Sequence, residues 1–293
     1  MYRNTIITME NYFVNLVMSN PAIAQVSVKK VNVSAFKDSE DMLAIEEPLE
    51  IRMEYGLKDN RIQKNISVTM RTPGADFELA SGFLYTEGII RSYKEISSIC
   101  HLTADENVVL ISLEPGFIPE TGKLDRNFYT TSSCGVCGKS SIDAIKTFCN
   151  IPVPADDLRF SSSLIYRLPD LLRQQQEVFE STGGLHASAL FDTEGQLIIL
   201  REDVGRHNAL DKLIGASLAK NITPLDKYIL LLSGRASFEL IQKAAMAGIK
   251  AVAAVGAPSS LAVQMAAEWD ITLIGFLRGE RFNIYSGEQR ILI

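Results

Sequence analysis

Apolar and polar residues alternate along three stretches in the first part of the chain, the period typical of half-buried β-strands. These stretches are residues 26–33, 49–53 and 66–70. Residues 58–60, Lys-Asp-Asn, separate the second stretch from the third, so we expect an antiparallel hairpin there. Asp76 is placed to cap a helix that ends at Gly88, and another strand follows at 108–111. This pattern predicts a small α+β lobe.

The second part of the chain has a different pattern, which predicts short apolar strands that alternate with helices. The strands are predicted at 186–191, 197–200, 228–232, 251–255 and 272–277, and the helices at 163–180, 208–220, 237–247 and 259–269. Such alternation is typical of an α/β architecture. We therefore predict an α/β domain with a mostly parallel sheet and helices on both of its faces.

These patterns divide the chain into an N-terminal extension over residues 1–25, an α+β lobe over 26–128 and an α/β domain over 129–293. A chain of 293 residues that is 46% hydrophobic and 22% charged is long enough to bury a substantial core. Its net charge of −6 argues against a general nucleic-acid binder. An anionic ligand would have to be held by a local cluster of basic side chains.

The sequence also bears on the compartment. No apolar run approaches the roughly 20 residues of a membrane helix, and the first residues lack the pattern of a secretory signal. Four cysteines in a chain of this length do not form a disulfide framework. We expect a cytoplasmic protein with reduced thiols.

The most reactive short segment is 131–141, T-S-S-C-G-V-C-G-K-S-S. Its glycines leave the sulfurs of Cys134 and Cys137 uncrowded, and a serine near its end is placed to cap a following helix. The dipole of that helix and the ammonium group of Lys139 favour thiolate, the nucleophilic form. The segment predicts a loop that handles sulfur, with Cys134 and Cys137 as catalytic candidates.

Three other interpretations of the cysteine pair fit less well. Structural zinc needs about four ligands, but the other cysteines, Cys100 and Cys149, form no second C-x-x-C, so we expect no structural zinc. A thioredoxin-type dithiol would follow the first strand of a compact βαβ unit, not a long strand-rich segment. A phosphate-binding loop would need glycine at Ser133.

Glycine, hydroxyl and basic residues follow the predicted strands of the α/β domain, where ligands bind in such sheets. The candidates for holding an anionic ligand are Arg201, Arg206, His207, Ser233, Gly234, Arg235, Gly256, Arg278 and Arg281. Glycine lets a ligand approach the backbone closely, and arginine clamps phosphate with two hydrogen bonds. Since an arginine after a strand is often only a surface charge, the prediction depends on the convergence of four loops.

The histidines have alternative roles. His186 lies in G-G-L-H-A-S, where Ser188 replaces the catalytic glutamate of zinc deaminases and no C-x-x-C follows, which argues against deamination. His186 is either a polar contact for a ligand or an interior histidine, and both interpretations stay open. For His207 the structural alternative is that it precedes a helix capped by Asn208, with Asp211 as capping-box partner.

Six ordered motifs together resemble the FdhD family of formate dehydrogenase accessory sulfurtransferases. They read S-S-C-G-V-C-G-K, G-G-L-H-A-S-A-L-F, R-E-D-V-G-R-H-N-A-L-D-K-L, L-S-G-R-A-S-F-E-L-I-Q-K, G-A-P-S-S-L-A-V and G-F-L-R-G-E-R-F-N-I-Y. The resemblance covers nearly the whole chain from about Val26 onward.

This resemblance implies a cytoplasmic protein that accepts sulfur from a cysteine desulfurase as a persulfide. The sulfur then passes to the molybdenum cofactor, in its bis-molybdopterin guanine dinucleotide form, before the cofactor enters formate dehydrogenase. The family's persulfide cysteine falls on Cys134, while the role of Cys137 is less settled. The C-terminal lobe is implied to be similar to cytidine deaminases in fold. The family's cofactor-binding segment falls on Leu273, Ile274, Gly275, Phe276, Leu277 and Arg278.

The residues and the resemblance agree on a sulfurtransferase that also binds guanine nucleotides as fragments of the cofactor. One alternative is a dithiol reductase or redox sensor that acts through a Cys134–Cys137 disulfide. A second alternative is a cofactor-binding chaperone without chemistry. No nucleic-acid or membrane partner is expected, and the sequence leaves the oligomeric state open, a homodimer included.

Overall fold

The computed structural model describes residues 20–33, 35–102, 104, 106–119 and 157–293. The predicted sulfur loop with Cys134 and Cys137, the domain boundary at 128 and residues 1–19 lie outside these ranges. Within the described ranges, no helix has both the length and the apolar character needed to cross a membrane.

The described chain begins with a long antiparallel hairpin, which is exposed along most of its length. Its strands are β1 (Ile23–Asn32) and β2 (Ala35–Ala44). The predicted boundary between residues 25 and 26 therefore falls inside a strand. The sequence did not predict β2 because its central residues, K-D-S-E-D, have no apolar alternation.

A four-stranded sheet and one helix form what we call the small lobe. Its order is β4-β3-β6-β5, and the predicted hairpin of β3 and β4 is confirmed. Helix α1 covers one face of this sheet, where Leu79 and Leu84 pack against Leu49, Ile51 and Met53. The elements are β3 (Glu47–Leu57), β4 (Asn60–Arg71), α1 (Asp76–Thr86), β5 (Ile96–His101) and β6 (Val108–Leu113).

The predicted capping role of Asp76 is wrong. Ala75 occupies the capping position with a left-handed φ of 57°, and Asp76 is the first residue of the helix. The Asp76 carboxylate accepts two hydrogen bonds of 3.0 Å from the buried guanidinium of Arg71. The Asp76 side chain therefore pairs with Arg71 and does not cap the helix.

The large lobe is built on a six-stranded sheet of order β13-β12-β11-β10-β8-β9. Only β10, β11 and β12 are parallel, while the other three pairings are antiparallel, so the prediction of a mostly parallel sheet is wrong. Strands β8 and β9, and β12 and β13, are joined by short turns, which force antiparallel pairing. The strands are β8 (His186–Phe191), β9 (Leu197–Asp203), β10 (Ile229–Leu232), β11 (Ala251–Ala254), β12 (Thr272–Arg278) and β13 (Arg281–Ser286).

Helices cover both faces of this sheet, as predicted. Leu230 and Leu232 face one layer of helices, and Ile229 and Leu231 face the opposite layer. The predicted helix over 163–180 is two helices, separated by the glutamines at 174–176. The first layer contains α4 (Arg206–Ala219), α5 (Phe238–Met246) and α6 (Ser260–Glu268). The opposite layer contains α2 (Ser162–Arg173), and α3 (Glu177–Thr182) follows it along the chain. This layer also contains β7 (Phe160–Ser161), which pairs in parallel with β14 (Ile291–Leu292).

The two lobes meet where α1 packs against α4. A Cβ atom on Gly82 would lie 1.9 Å from the carbonyl oxygen of Asp211, and one on Gly215 would lie 1.9 Å from that of Glu78. Glycine is required at both positions because the two helix backbones touch. This contact and the buried polar groups around it form what we call the lobe joint.

Candidate functional site

The carboxyl ends of the three parallel strands lie at one edge of the large sheet. Two backbone hydrogen bonds extend the sheet past the strand ends, from Gly256 N to Gly234 O (2.9 Å) and from Phe276 N to Gly256 O (3.1 Å). Helices α5 and α6 also begin at this edge, with Ser237 and Ser259 as their N-caps. We call this region the strand edge.

Gly234 is packed between two predicted site residues. A Cβ atom on Gly234 would lie 3.3 Å from Cδ of Arg206 and 3.4 Å from Nδ1 of His186. A Cβ atom on Gly256 would similarly lie 2.9 Å from Cγ of Arg235. The structure therefore brings Arg206 and Arg235 to the edge where the sequence predicted them, and it places His186 beside them.

His186 is a neutral side chain at pH 7. Burial lowers its pKa from the ordinary value, and the nearby Arg206 cation lowers it further. Because its ring stands at Gly234 beside Arg206, His186 lies at the strand edge. The neutral ring can both donate and accept a hydrogen bond.

His207 lies inside α4, whose N-cap is Gly205, so the prediction that it precedes a helix capped by Asn208 is wrong. Its Nε2 atom is 3.3 Å from Oγ of Ser237 and 3.5 Å from a carboxylate oxygen of Glu239. Asn208 instead donates a 2.8 Å hydrogen bond to the Met70 carbonyl of the small lobe. His207 therefore connects the starts of α4 and α5.

Asp211 also has a role other than the predicted capping box. Its carboxylate accepts hydrogen bonds from Lys243 Nζ (2.9 Å) and Thr86 Oγ1 (2.8 Å). Thr86 belongs to the small lobe, so the Asp211 side chain is part of the lobe joint.

Arginines at the strand edge lack acidic partners. Among the described residues, Arg206, Arg235, Arg278 and Arg281 make no side-chain hydrogen bond or ion pair. Arg278 and Arg281 stand directly opposite each other on β12 and β13, and like charges in that position repel. A bound anion would relieve that repulsion.

The prediction that Arg201 belongs to the same basic cluster is wrong. Its guanidinium binds Glu78 of the small lobe, with one hydrogen bond of 2.6 Å. Ser233 is also engaged by the protein, because its hydroxyl accepts a 2.8 Å hydrogen bond from Ala187 N and ties β10 to β8. Arg201 therefore joins the two lobes, and Ser233 joins two strands of the large sheet.

The predicted cofactor-binding segment presents only two side chains to solvent. Leu273, Ile274, Gly275 and Leu277 are buried, whereas Phe276 is 49% exposed and Arg278 is exposed. The register of β12 against β13 shifts between Gly275 and Arg278, and Phe276 has a φ of 53°. A bulky side chain in this left-handed region is unusual and is often found at functional sites.

A cleft of about 270 Å³ lies elsewhere, beside the lobe joint. Its two basic lining residues are already paired: Arg201 binds Glu78, and Lys212 lies 2.7 Å from Asp203. The strand edge therefore has more unneutralised positive charge with which to hold an anion.

The remaining predictions about the site stay predictions. Cys134 and Cys137 lie outside the described residues. The described part of the chain holds no cluster of three or more metal-ligating side chains, and the expectation of no structural zinc stays a prediction.

Sequence reasoning missed the buried residues behind the site. Thr72, Asp203 and Lys212 are at most 2% exposed and bond to one another across the lobes. The local sequence gave little signal, because other charged residues stand directly before both Asp203 and Lys212. Their partner Thr72 gave no signal of its own.

Comparison with known proteins shows one consistent set of relatives. The FdhD/NarQ family model matches residues 44–292. A "Sulfur carrier protein FdhD" from Streptomyces avermitilis is 49% identical over 276 residues, which covers 91% of this chain and 94% of that protein. The protein of the same name from Sulfolobus acidocaldarius is 42% identical, covering 90% of this chain and 98% of that one.

The fold is also similar to a solved structure. The crystal structure of a protein described as a formate dehydrogenase accessory protein, from Desulfotalea psychrophila, matches with a TM-score of 0.71 and 23% identity. The match covers 93% of this chain and 100% of that one, and at this identity it supports the fold alone. From the extent of the family match and the identity of the relatives, this chain belongs to the FdhD/NarQ family.

Proposed function

We propose that this protein is a sulfurtransferase that carries sulfur as a persulfide on Cys134 and delivers it to the molybdenum cofactor. The names of the relatives, sulfur carrier proteins, support the transfer of sulfur. The described accessory role of the structural relative supports an association with formate dehydrogenase. Formate dehydrogenase is then the recipient of the cofactor, and a cysteine desulfurase is the sulfur donor.

The observation that carries the proposal is the set of unpaired arginines at the strand edge. Bis-molybdopterin guanine dinucleotide bears several phosphate groups, and arginine binds phosphate with charge-assisted hydrogen bonds. Arg206 and Arg235 pack against Gly234 and Gly256, and the absence of a side chain on these glycines leaves room for the two arginines. The residues present thus fit a polyanionic substrate.

Other groups at the edge complement the arginines. The Ser237 side chain makes no capping hydrogen bond at α5, so the first backbone N–H groups of this helix can bind a phosphate despite the Glu239 carboxylate in the first turn. The exposed ring of Phe276 offers a flat apolar surface for a guanine base. Neutral His186 supplies a hydrogen bond without adding charge.

Sulfur is loaded in a single displacement. The Cys134 thiolate attacks the terminal sulfur of the donor persulfide, the donor's S–S bond breaks, and the donor cysteine leaves as a thiolate. The product is a persulfide on Cys134, and no external oxidant is needed. Cys137 is the neighbouring thiol with a supporting role.

Mass spectrometry of the intact protein after incubation with a cysteine desulfurase and cysteine tests the proposal. We expect an adduct of one sulfur atom that is absent from Cys134→Ala and reduced in Cys137→Ala. Cys100→Ala is the matched control, because Cys100 is an exposed thiol in the small lobe, and it should load normally. Equal loss in both loop variants would favour a disulfide mechanism, and no adduct on the wild type would favour a chaperone without chemistry.

A further inference from the structure

One small-lobe residue, Thr72, makes three hydrogen bonds to the large lobe, two of them to a single turn. Its hydroxyl oxygen accepts from Val204 N (3.1 Å), and its own N–H donates to the Asp203 carboxylate (3.2 Å). Its carbonyl accepts from Lys212 Nζ (2.8 Å). Thr72 is 2% exposed, so water cannot replace these bonds.

The turn held by Thr72, residues 203–205, leads directly into the strand edge. Asp203 accepts a 2.7 Å hydrogen bond from Gly205 N, which is the N-cap of α4, and Arg206 is the first residue of that helix. On its other side, Asp203 pairs with His186 in the β8–β9 register. Both Arg206 and His186 are thus anchored to this turn.

Arg206 depends on the turn for its position. Its guanidinium has no hydrogen-bond or ion-pair partner among the described residues, and its stem packs against Gly234. Since no charged group among the described residues fixes this side chain, its position depends on the backbone at 203–205, from which it extends, and on Gly234, against which its stem packs.

We propose that Thr72 is a positioning residue for the strand edge, by which the small lobe holds Arg206 in place to bind the anionic ligand. This inference rests on the proposed function of the strand edge as the cofactor site. It assigns to the small lobe a part in ligand binding, although Thr72 itself does not touch the ligand.

The test is calorimetric titration with GDP, used as a fragment of the cofactor. Thr72→Val removes the acceptor of Val204 N at nearly constant volume, and we expect roughly tenfold weaker binding, the loss of about one hydrogen-bonded constraint. Thr72→Ser keeps the hydroxyl and should bind like the wild type. If Thr72→Val does not fold, Thr72→Ala removes the same acceptor with a smaller side chain.

The pKa of His186, measured by NMR titration, is a second readout that a merely structural role would not move. Arg206 contributes to its lowering, so displacement of that cation in Thr72→Val should bring the pKa back toward its ordinary value. Protonation of His186 would then begin at a higher pH than in the wild type.

Thr86→Val is the matched control. Thr86 is also a buried small-lobe threonine whose hydroxyl bonds to an Asp–Lys pair of the large lobe, Asp211 and Lys243. Its loss should lower stability but leave GDP affinity and the pKa of His186 unchanged. Wild-type affinity and pKa in Thr72→Val, or equal effects of both valine variants, would overturn the positioning role. Failure of the wild type to bind GDP would instead overturn the proposed cofactor site.

Discussion

At the scale of single residues, the arginines of this protein differ in whether neighbouring side chains neutralise their charge. Arg71 is 1% exposed and binds Asp76, Glu47 and Asn107, so its charge serves the core of the small lobe. Arg278 is exposed and has no partner in the described residues. A charge left unneutralised beside a second arginine is available to a ligand.

Replacement of Arg278 by alanine should therefore weaken GDP binding with little loss of stability. Removal of one charge-assisted contact costs about 1.5–3 kcal/mol, or roughly ten- to a hundredfold in affinity. Calorimetric titration measures the change, with Lys220→Ala as the control, since Lys220 lies exposed at the opposite end of α4 from Arg206. If Arg278→Ala binds GDP with unchanged affinity, the nucleotide binds elsewhere on the protein.

At the scale of elements, the contact of α1 with α4 is closer than ordinary helix packing. Helix axes usually lie about 8–10 Å apart because side chains separate them. Here Gly82 and Gly215 remove those side chains, so backbone touches backbone. The small lobe is thereby held against the helix that starts at the strand edge.

A methyl group at Gly215 should disrupt this contact. In a solvated helix, Gly→Ala stabilises by about 1 kcal/mol, but a Cβ here would lie 1.9 Å from the Glu78 carbonyl oxygen. We expect Gly215→Ala to lower the free energy of unfolding by at least about 2 kcal/mol in urea denaturation.

Gly184→Ala is the control for that experiment, because its Cβ would make an ordinary 3.6 Å contact with Ala44. It should change stability by less than about 0.5 kcal/mol. A neutral or stabilising Gly215→Ala would show that the two helices separate at little cost.

At the scale of the whole molecule, buried ion pairs connect the lobes. Lys243 and Asp211 are each 2% exposed, and both bond to Thr86 of the small lobe. The second pair, Lys212 and Asp203, bonds to Thr72. Since buried charges tolerate few alternative arrangements, these pairs specify how the lobes sit together.

Lys243→Met should destabilise the protein by about 3–5 kcal/mol, because it leaves the Asp211 carboxylate buried without its cation. The double variant Asp211→Asn/Lys243→Met should cost less than the single one. Fluorescence of Trp269, the single tryptophan of the chain, follows unfolding in both. Costs that simply add in the double variant would contradict a coupled pair.

We also expect the stability of Lys243→Met to depend on pH. Burial raises the pKa of the Asp211 carboxyl in the native protein, and loss of the Lys243 cation raises it further. The native state then holds a proton that the unfolded chain releases at about pH 4. Stability of Lys243→Met should therefore fall as pH rises above that value.

The sequence by itself determined the elements that depend on near neighbours along the chain. Period-two alternation located β1, β3 and β4, and the apolar strands and helices of the large lobe were placed within a few residues. The loops after β10, β11 and β12 were correctly predicted to meet, because parallel strands end at the same edge. Family membership followed from ordered motifs.

Only the tertiary structure decided which strands pair antiparallel and which charges are neutralised. Arg201 and Arg206 look alike in the sequence, but Arg201 meets Glu78 from 123 residues away, while Arg206 meets no acidic side chain in the part of the chain that the structure describes. Thr72 and the Asp203 carboxylate that it contacts are 131 residues apart. Electrostatic and hydrogen-bond energies depend on distance in space, not on separation along the chain. Which side chains pair across such separations is therefore set by how whole elements pack, and local sequence patterns do not predict it.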